Sequence, residues 1–458
     1  MAGAAAFFDL DRTILKGASG PLITEALVHA GIAPSRSVPG QGLLYKLFDL
    51  VGETLPSMAL ARGAALVAKG WSRAEVREAA KDVAERLDTL VAPYARVLLD
   101  EHRAAGRPVV LATTTPYDLV SAFAERVGFD DVLATRYAED EEGRYTGALE
   151  GEFVWSTGKL AAVRRWATGQ GVDLKASYAY SDSIYDVPLL SAVGHPHAVN
   201  PDPRLLAFAA IRRWPTQWLD VPPGVPKLAG IEPFDLVRLG ARPELVPYAR
   251  FDIHGVDNVP AEGPAIIAAN HRSYFDTVAI GLTVLQSGRP LRFLGKKEVF
   301  DAPVVGQLAR AMGGIRVDRG TESAGDSLLG ATRALQAGEL VAIMPQGTIP
   351  RGREFFDPVL KGKTGAARLA AATRAPVIPI GLWGTEAVWP RSAKVPNVLN
   401  LANPPTVQVR VGHPVELAYD DIRADTERLM EAIMALLPPE AREDREPTED
   451  ELRRSKPS

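Results

Sequence analysis

The first part of the fold is decided by a short apolar run that ends in two acids, Phe7-Phe8-Asp9-Leu10-Asp11-Arg12-Thr13. Side chains alternate along an extended strand, so Asp9 and Asp11 are predicted to point to the same side. Ligands of open α/β sheets bind beyond the carboxyl ends of the strands. The stretch therefore predicts a strand that brings two carboxylates to a ligand-binding sheet edge.

Around this stretch, apolar runs alternate with segments of helical periodicity. Three runs end in polar clusters, at residues 4–8, 109–112 and 178–180. Residues 74–87 and 160–167 repeat apolar side chains every three or four positions. Such alternation is typical of an α/β fold with a parallel sheet flanked by helices. Residues 17–106 lack strand-like runs, which predicts a helical insertion.

Further polar residues follow the same runs. Asp182 and Asp186 come after the third run, and Thr113 ends the second. Lys159 opens a helical segment. A single Asp after a strand is also a common helix N-cap. Asp182 or Asp186 alone therefore does not indicate a catalytic site. The complete ordered set predicts four acids, a hydroxyl and a lysine at one sheet edge.

This ordered set resembles the motifs of the haloacid dehalogenase superfamily, in the branch that contains phosphoserine phosphatase, over roughly residues 5–210. The resemblance implies a Rossmann-like parallel sheet with residues 17–106 as its helical cap. It also implies an aspartyl-phosphate mechanism, in which Asp9 is the nucleophile that takes the phosphoryl group. Asp11 would protonate the leaving alcohol and later activate water.

The same resemblance implies a phosphate-binding pair and a metal site. Thr113 and Lys159 would hold the phosphoryl oxygens. The expected cofactor is Mg²⁺, which prefers hard oxygen ligands. The ligands implied for it are Asp9, the main-chain carbonyl of Asp11, Asp182 and, beside them, Asp186. The metal would offset the repulsion between these acids and the phosphate.

A proline-rich segment separates this region from a second one. The prolines are Pro215, Pro222, Pro223, Pro226, Pro233, Pro243 and Pro247. They predict a linker at residues 214–248 between a first domain at 1–213 and a second at 249–437. Apolar runs at residues 265–269, 340–344 and 377–382 predict a second α/β fold. Residues 438–458 are charged and poor in apolar groups, which predicts a disordered tail.

The second domain contains a histidine and an aspartate directly after its first apolar run. The segment reads Ile266-Ile267-Ala268-Ala269-Asn270-His271-Arg272-Ser273-Tyr274-Phe275-Asp276. Within one helix a spacing of five turns two side chains about 140° apart, so His271 and Asp276 meet only if His271 precedes the helix. In the alternative interpretation, Ser273 and Asp276 form a capping box and His271 is incidental.

Three later blocks favour the first interpretation. They are Gly313-Gly314-Ile315-Arg316-Val317-Asp318-Arg319, Met344-Pro345-Gln346-Gly347-Thr348 and Ala375-Pro376-Val377-Ile378-Pro379-Ile380. Together with the histidine segment, these blocks resemble the 1-acylglycerol-3-phosphate acyltransferase family over roughly residues 249–415. A fusion of this family with a dehalogenase-like phosphatase is a recurring bacterial arrangement, so the two resemblances support each other.

The second resemblance implies acyl transfer without an acyl-enzyme. His271 would be the general base on the acceptor hydroxyl, and Asp276 would orient its ring and stabilise the imidazolium. Arg319 would bind the acceptor phosphate through paired guanidinium donors. The main-chain amides at Gly347 and Thr348 would serve this phosphate or the developing oxyanion. The implied substrates are acyl-coenzyme A or acyl carrier protein and lysophosphatidate or a related lysophospholipid.

Two blocks depart from the family pattern. Gln346 stands where the family usually has Glu, and Ile349 and Pro350 precede Arg351 where the family has its arginine earlier. Arg316 replaces an aromatic residue. These departures leave open an acceptor without phosphate, such as a glycolipid, with one of the domains serving a regulatory or binding role.

The composition of the chain excludes several kinds of chemistry and several classes of partner. The chain has no cysteine, which excludes thiolate chemistry and disulfides. Its formal net charge of -4 argues against nucleic acid as a partner. No basic and apolar leader precedes Asp9, and no apolar stretch reaches the roughly 18 residues of a membrane span. We therefore expect a cytoplasmic protein, with peripheral membrane contact through the mixed apolar and basic segment at residues 234–239.

Overall fold

The computed structural model describes residues 3–34, 53–227, 231–303, 305–317 and 326–456. By its internal contacts the chain divides into two compact units, Met1–Pro223 and Gly224–Ser458. The division falls inside the segment predicted as a linker. Both units are α/β, which confirms the predicted fold class. Among the described residues, no helix has both the length and the apolar character needed to cross a bilayer.

The first unit is built on a seven-stranded sheet. In chain order its strands are β1 (Ala6–Phe8), β2 (Val109–Pro116), β3 (Asp131–Glu139), β4 (Tyr145–Glu150), β5 (Tyr178–Ser181), β6 (His195–Val199) and β7 (Thr216–Gln217). Their order across the sheet is β4-β3-β2-β1-β5-β6-β7. Apart from the antiparallel β3–β4 pair, neighbouring strands are parallel.

The central strand β1 is buried on both faces. Phe7 contacts Trp166 edge to face on one side of the sheet, with ring centroids 5.5 Å apart. On the other side Phe8 stacks on Tyr180 at 4.6 Å. A parallel sheet covered by helices on both faces requires such continuous apolar strands. The apolar run before Asp9 therefore forms the middle of the sheet.

Helices cover the sheet and fill the predicted insertion. They are α1 (Gly20–His29), α2 (Leu55–Val67), α3 (Arg73–Thr89), α4 (Pro93–Ala104), α5 (Tyr117–Val127), α6 (Thr157–Gln170), α7 (Val187–Ala192) and α8 (Pro203–Arg212). In α3, the side chain of Ser72 caps the first turn by accepting from the Glu75 amide. Its buried positions, from Val76 to Leu87, recur every three or four residues. Within the described parts of residues 17–106, the regular elements are helices, as the sequence predicts.

The second unit has its own seven-stranded sheet, in the order β11-β10-β12-β9-β13-β14-β8. Its strands are β8 (Arg250–His254), β9 (Ala265–Ala269), β10 (Leu291–Lys296), β11 (Ile315–Val317), β12 (Leu340–Ile343), β13 (Val377–Trp383) and β14 (Thr406–Val411). Strand β9 lies between β12 and β13, parallel to both. Its side chains alternate between two apolar clusters, with Ile267 in one and Ile266 in the other.

The helices of the second unit flank this sheet. They are α9 (Pro233–Gly240), α10 (Asp276–Leu285), α11 (Lys297–Asp301), α12 (Val305–Ala311), α13 (Asp326–Gln336), α14 (Gly365–Thr373), α15 (Thr385–Val388), α16 (Ile422–Ala435) and α17 (Glu449–Arg454). Residues of α13, α14 and α16 pack with Ile266 in one apolar cluster, and residues of α10 pack with Ile267 in the other.

Two regions predicted to be irregular contain regular structure. Within residues 214–248, Thr216–Gln217 pairs with β6, and Pro233 begins α9. Proline is well suited to the first turn of a helix because its missing N–H has no partner there. In the tail, Thr448 and Glu451 form a capping box that starts α17, and Arg445 pairs with Glu451. The overall composition of a segment does not reveal such helix-starting residues, so both short helices were missed.

A buried ion pair joins two strands of the second unit, β10 and β12. Arg292 on β10 is 2% exposed, and its Nε donates to Glu339 Oε2 at 2.7 Å, directly before β12. We expect Glu339→Ala to lower the free energy of unfolding by about 3–5 kcal/mol, because it leaves a buried guanidinium without its carboxylate. Urea unfolding of the full chain measures this loss. The matched change Glu431→Ala, on an exposed position of α16, should have little effect; equal stability of the two variants would contradict the expectation.

Candidate active sites

The first candidate site lies where three parallel strands of the first unit end. Asp9 follows β1, and its amide donates to the Tyr180 carbonyl of β5 at 3.0 Å. Thr113 lies in β2 and Asp182 follows β5, on the two sides of β1. All three side chains are buried. Sheet topology therefore brings together residues that are far apart in the sequence.

Lys159 links two of the acids. It lies in the first turn of α6 and is 1% exposed. Its Nζ donates to Asp9 Oδ1 at 2.8 Å and to Asp186 Oδ2 at 2.6 Å. Ser181 Oγ also donates to Asp186 Oδ2, at 2.7 Å. Burial opposes the charged amine, but the carboxylates of Asp186 and Asp9 outweigh it and raise the pKa of Lys159.

The carboxyl groups at this site outnumber its two cationic side chains, Lys159 and Arg12. Burial raises the pKa of Asp9 to about 8 despite the opposing effect of Lys159, and Asp186 and Glu53 add repulsion. Burial likewise raises the pKa of Asp182 well above its usual range, with the charge of Asp9 as the next cause. A site with this imbalance favours an added cation.

Glu53 is a further carboxyl group at this site, and no sequence motif pointed to it. Its Oε2 accepts from Ser183 Oγ at 2.7 Å and from Trp155 Nε1 at 3.0 Å. Burial, followed by the charge of Asp186, raises the pKa of Glu53. It lies within the predicted helical insertion, outside any motif, so only the fold places it here.

Asp11 is held in a turn rather than in a strand. The strand ends at Phe8, and the chain turns within Leu10–Ile14, where Asp11 itself has an extended φ of -67° and ψ of 132°. Strand pairing therefore ends before Asp11, and the prediction that Asp9 and Asp11 point to the same side stays a prediction. Asp11 Oδ1 accepts from the Ser19 amide at 2.5 Å. In the same turn Arg12 adopts a φ of 56°, and its Nε lies 3.3 Å from Asp182 Oδ2.

The donor set at this edge fits a magnesium ion. Asp186 Oδ1 is buried and has no hydrogen-bond partner in the described part of the chain. Over the same residues, no group of three or more acidic or histidine side chains is arranged to hold a metal ion by itself. Mg²⁺ does not require such a cage, because it usually keeps several waters and takes one or two carboxylates together with phosphate oxygens.

The second candidate site lies at the carboxyl end of β9. His271 Nδ1 and Asp276 Oδ2 are 2.8 Å apart, and Asp276 is fully buried. Helix α10 begins at Asp276, so His271 lies in the preceding turn, as the spacing requires. Asp276 Oδ2 also accepts from the amides of Arg272 and Ser273, at 2.7 and 2.8 Å. The carboxylate thus fixes both the imidazole ring and the turn.

The alternative capping-box interpretation does not describe this turn. Ser273 Oγ accepts from the Phe275 amide at 3.0 Å and donates to the Trp389 carbonyl at 2.6 Å. Only half of the reciprocal pattern is present, since Asp276 accepts from the Ser273 amide but Ser273 Oγ does not cap Asp276. With Nδ1 bonded to a carboxylate, Nε2 keeps a lone pair in the neutral ring.

Gln346 contacts the histidine segment directly. It follows β12, the neighbour of β9, and its Oε1 accepts from the His271 amide at 2.6 Å. The amide side chain therefore supplies the acceptor oxygen that glutamate would supply, without the negative charge. The departure at this position preserves the contact with His271.

The remaining predicted residues of this site have mixed outcomes. Gly347 has a φ of 75°, which favours glycine. Its amide donates to the Met344 carbonyl at 2.8 Å, and the role predicted for this amide in binding a phosphate or oxyanion stays a prediction. Thr348 lies in the loop that follows, half-buried. Arg319 lies outside the described residues.

Sequence reasoning missed two residues that connect this site to β13. Asn270 forms a pair of hydrogen bonds with Leu382 of β13, at 2.9 and 2.7 Å. Arg272 stacks between the rings of Phe355 and Trp383, with its Cζ 4.3 and 4.2 Å from the ring centroids. Both residues are direct sequence neighbours of His271. The sequence shows that position, but it does not show their contacts with Leu382, Phe355 and Trp383.

Comparison with known proteins identifies a family for each of the two units. A family model for haloacid dehalogenase-like hydrolases matches residues 6–191, and an acyltransferase model matches residues 250–383. The inhibition of morphological differentiation protein of Streptomyces azureus is 35% identical over 46% of this chain and 76% of its own. Phosphoserine phosphatase SerB1 of Mycobacterium tuberculosis is 39% identical over 46% of this chain and 69% of its own.

Among solved structures, the 1-acyl-sn-glycerophosphate acyltransferase PlsC of Thermotoga maritima is 22% identical, with a TM-score of 0.31. That match covers 41% of this chain and 73% of the other. The chain belongs to the haloacid dehalogenase-like hydrolases and carries, in addition, an acyltransferase domain. The two resemblances are thereby confirmed as a haloacid dehalogenase-like hydrolase and an acyltransferase.

Lys159 provides a test of the first site. We expect Lys159→Met to lower the free energy of unfolding by about 3–5 kcal/mol in metal-free buffer, since Asp9 and Asp186 lose their buried counter-charge. Added Mg²⁺ should restore part of this loss. Urea titrations with chelator and with Mg²⁺ measure both effects. The control Lys175→Met alters an exposed lysine of the same unit; a Lys159→Met variant as stable as this control would contradict the assigned charge balance.

Proposed function

We propose that the chain is a bifunctional enzyme of phospholipid metabolism. The second unit transfers an acyl group from acyl-coenzyme A or acyl carrier protein to lysophosphatidate or a related lysophospholipid. The first unit hydrolyses a phosphomonoester with Mg²⁺. The observation that carries the acyl-transfer assignment is the contact between His271 and the buried carboxylate of Asp276 at the end of β9. The phosphatase assignment rests on Lys159 between Asp9 and Asp186.

In the first unit, a carboxylate oxygen of Asp9 attacks the phosphorus and the bond to the leaving alcohol breaks. Asp11 gives its proton to that alcohol and then takes a proton from the water that hydrolyses the aspartyl phosphate. Lys159 and Thr113 hold the phosphoryl oxygens. Mg²⁺, held by Asp9, the Asp11 carbonyl, Asp182 and Asp186, would lower the repulsion between phosphate and carboxylates.

In the second unit, His271 Nε2 takes the proton of the acceptor hydroxyl while the hydroxyl oxygen attacks the thioester carbonyl. The carboxylate of Asp276 holds the Nδ1 proton and stabilises the imidazolium. The thiol leaves with the proton from His271, so no acyl-enzyme forms. Gln346 fixes the main chain at the base. The acceptor phosphate is assigned to Arg319 and to the loop at Thr348.

The two activities are separable by one substitution in each unit. We expect Asp9→Asn to abolish Mg²⁺-dependent phosphatase turnover and to leave acyl transfer near wild type. We expect His271→Ala to lower acyl transfer about 10²- to 10⁴-fold, the usual contribution of a positioned base, and to spare the phosphatase. Each variant is thus the folding control of the other. The assays use p-nitrophenyl phosphate and labelled acyl-coenzyme A with lysophosphatidate.

Normal acyl transfer by His271→Ala would remove this histidine from the mechanism. Transfer that is equal to lysophosphatidate and to an acceptor without phosphate would favour the glycolipid-type alternative. Absence of transfer to any acceptor, with intact phosphatase activity, would leave the second unit as a binding module.

Peripheral membrane contact is part of this proposal, and two exposed apolar segments of the second unit support it. In α9, Leu236 and Leu239 are 64% and 75% exposed. In the loop between α15 and β14, Val395, Leu399 and Leu401 are exposed, Leu399 at 85%. Arg238 and Lys394 add basic charge beside these segments. Apolar side chains with neighbouring basic residues suit the surface of an anionic membrane.

We expect Leu239→Asp and Leu399→Asp each to weaken binding to anionic phospholipid vesicles at low salt by about tenfold or more. Full burial of a leucine contributes about 1.5–3 kcal/mol, and the carboxylate adds repulsion. Co-sedimentation with vesicles measures the effect. Leu66→Asp, at an equally exposed position of the first unit, is the matched control. A wild-type chain that remains in solution would show that attachment is wrong.

A further inference from the structure

Arg391 lies beside the acyl-transfer site, although no sequence block includes it. It follows α15, which comes directly after β13, and the carboxyl ends of β13, β9 and β12 meet at one sheet edge. Two residues earlier, the Trp389 carbonyl accepts from Ser273 Oγ, and the Trp389 ring lies 5.6 Å from that of Tyr274. The segment of Arg391 is therefore attached to the turn between His271 and Asp276.

The guanidinium of Arg391 reaches the loop that follows β12. Its Nη1 donates to the carbonyls of Ile349 and Pro350. These are the residues that occupy the positions where the family has its arginine. Arg391 therefore brings a guanidinium to this place from a different loop of the same sheet edge.

No carboxylate of the described residues pairs with the charge of Arg391. The residue is 8% exposed, and its Nε is buried with no hydrogen-bond partner among the described residues. Over those residues, none of the ion pairs includes Arg391. Burial lowers the pKa of Arg391, as does the nearby charge of Arg351, whereas Tyr274 opposes them. Buried arginines are normally paired, so this one is suited to an anion supplied by a ligand.

We propose that Arg391 binds the phosphomonoester of the acyl acceptor and thereby selects phosphorylated acceptors. The inference rests on the proposed acyl-transfer function. Nη1 holds the loop, while Nε and Nη2 form the edge of the guanidinium that pairs with two phosphate oxygens. In lysophosphatidate the phosphate is only a few bonds from the reacting hydroxyl. In coenzyme A the nearest phosphate lies beyond the pantetheine arm, so a cation attached to the His271 turn fits the acceptor.

The test compares acceptors in full-length protein that carries Asp9→Asn, so that the first unit does not hydrolyse the acceptor. We expect Arg391→Gln to lower kcat/KM for lysophosphatidate, relative to that for 1-monoacylglycerol, by about 10- to 100-fold, as for a lost charged hydrogen-bonding pair. The loss should appear in KM for lysophosphatidate and not in KM for acyl-coenzyme A. Arg391→Lys should restore part of it. Arg353→Gln, which removes a 74% exposed charge from the same loop, is the matched control.

Two results would overturn the proposal. A rise in KM for acyl-coenzyme A alone would assign the anion to the donor. Equal losses for both acceptors would make Arg391 a structural clamp of the loop. A separate calorimetric titration with sn-glycerol 3-phosphate reads the site without catalysis: Arg391→Gln should remove one binding equivalent and His271→Ala should keep it. If no acceptor is acylated, the proposed function fails, while this titration still decides the role of Arg391.

Discussion

Both sites depend on one constraint, the burial of charged groups where a central parallel strand ends. Strands β1 and β9 are apolar along their whole length and are covered on both faces, so the chain first exposes polar atoms at their carboxyl ends. Asp9 and His271 follow these strands, separated from them by no residue and by one residue. The same topology that excludes water from the strands thus concentrates the chemistry at their ends.

The two units compensate the unfavourable burial of their carboxylates in different ways. Asp276 is compensated by donors alone, namely His271 Nδ1 and two main-chain amides of the turn. The result is a fixed ring whose second nitrogen can accept a proton. In the first unit, one lysine is shared by Asp9 and Asp186, which leaves an excess of carboxyl groups. The fixed ring of His271 in the second unit suits proton transfer. The first unit has fewer cationic than carboxyl groups, so it can take up a metal cation, which suits phosphate chemistry.

Sequence patterns predicted the α/β class of both units and the pairing of His271 with Asp276, because strand periodicity and residue spacing are local properties. They predicted Lys159 beside the acids through the order of motifs. They could not predict Glu53 or Arg391, whose neighbours come from elements more than forty residues away in the chain. Such contacts are set by sheet order and loop path, and neither has a periodic signature.

The balance of charge at each site accounts for three features that the sequence motifs do not explain: the surplus of carboxyl groups in the first unit, the buried Arg391 and the neutral Gln346. The first site gathers more carboxyl groups than its lysine neutralises, which favours a cation. The second holds a buried guanidinium, Arg391, that is bonded to carbonyl oxygens but to no carboxylate among the described residues, which favours an anion. At Gln346 an amide replaces the glutamate that is usual in the family, so the neighbourhood of His271 contains one negative charge fewer. A neutral residue at this position lowers the negative charge near His271 and keeps the hydrogen bond to the His271 amide, so an anionic acceptor of the kind we propose would meet less repulsion there.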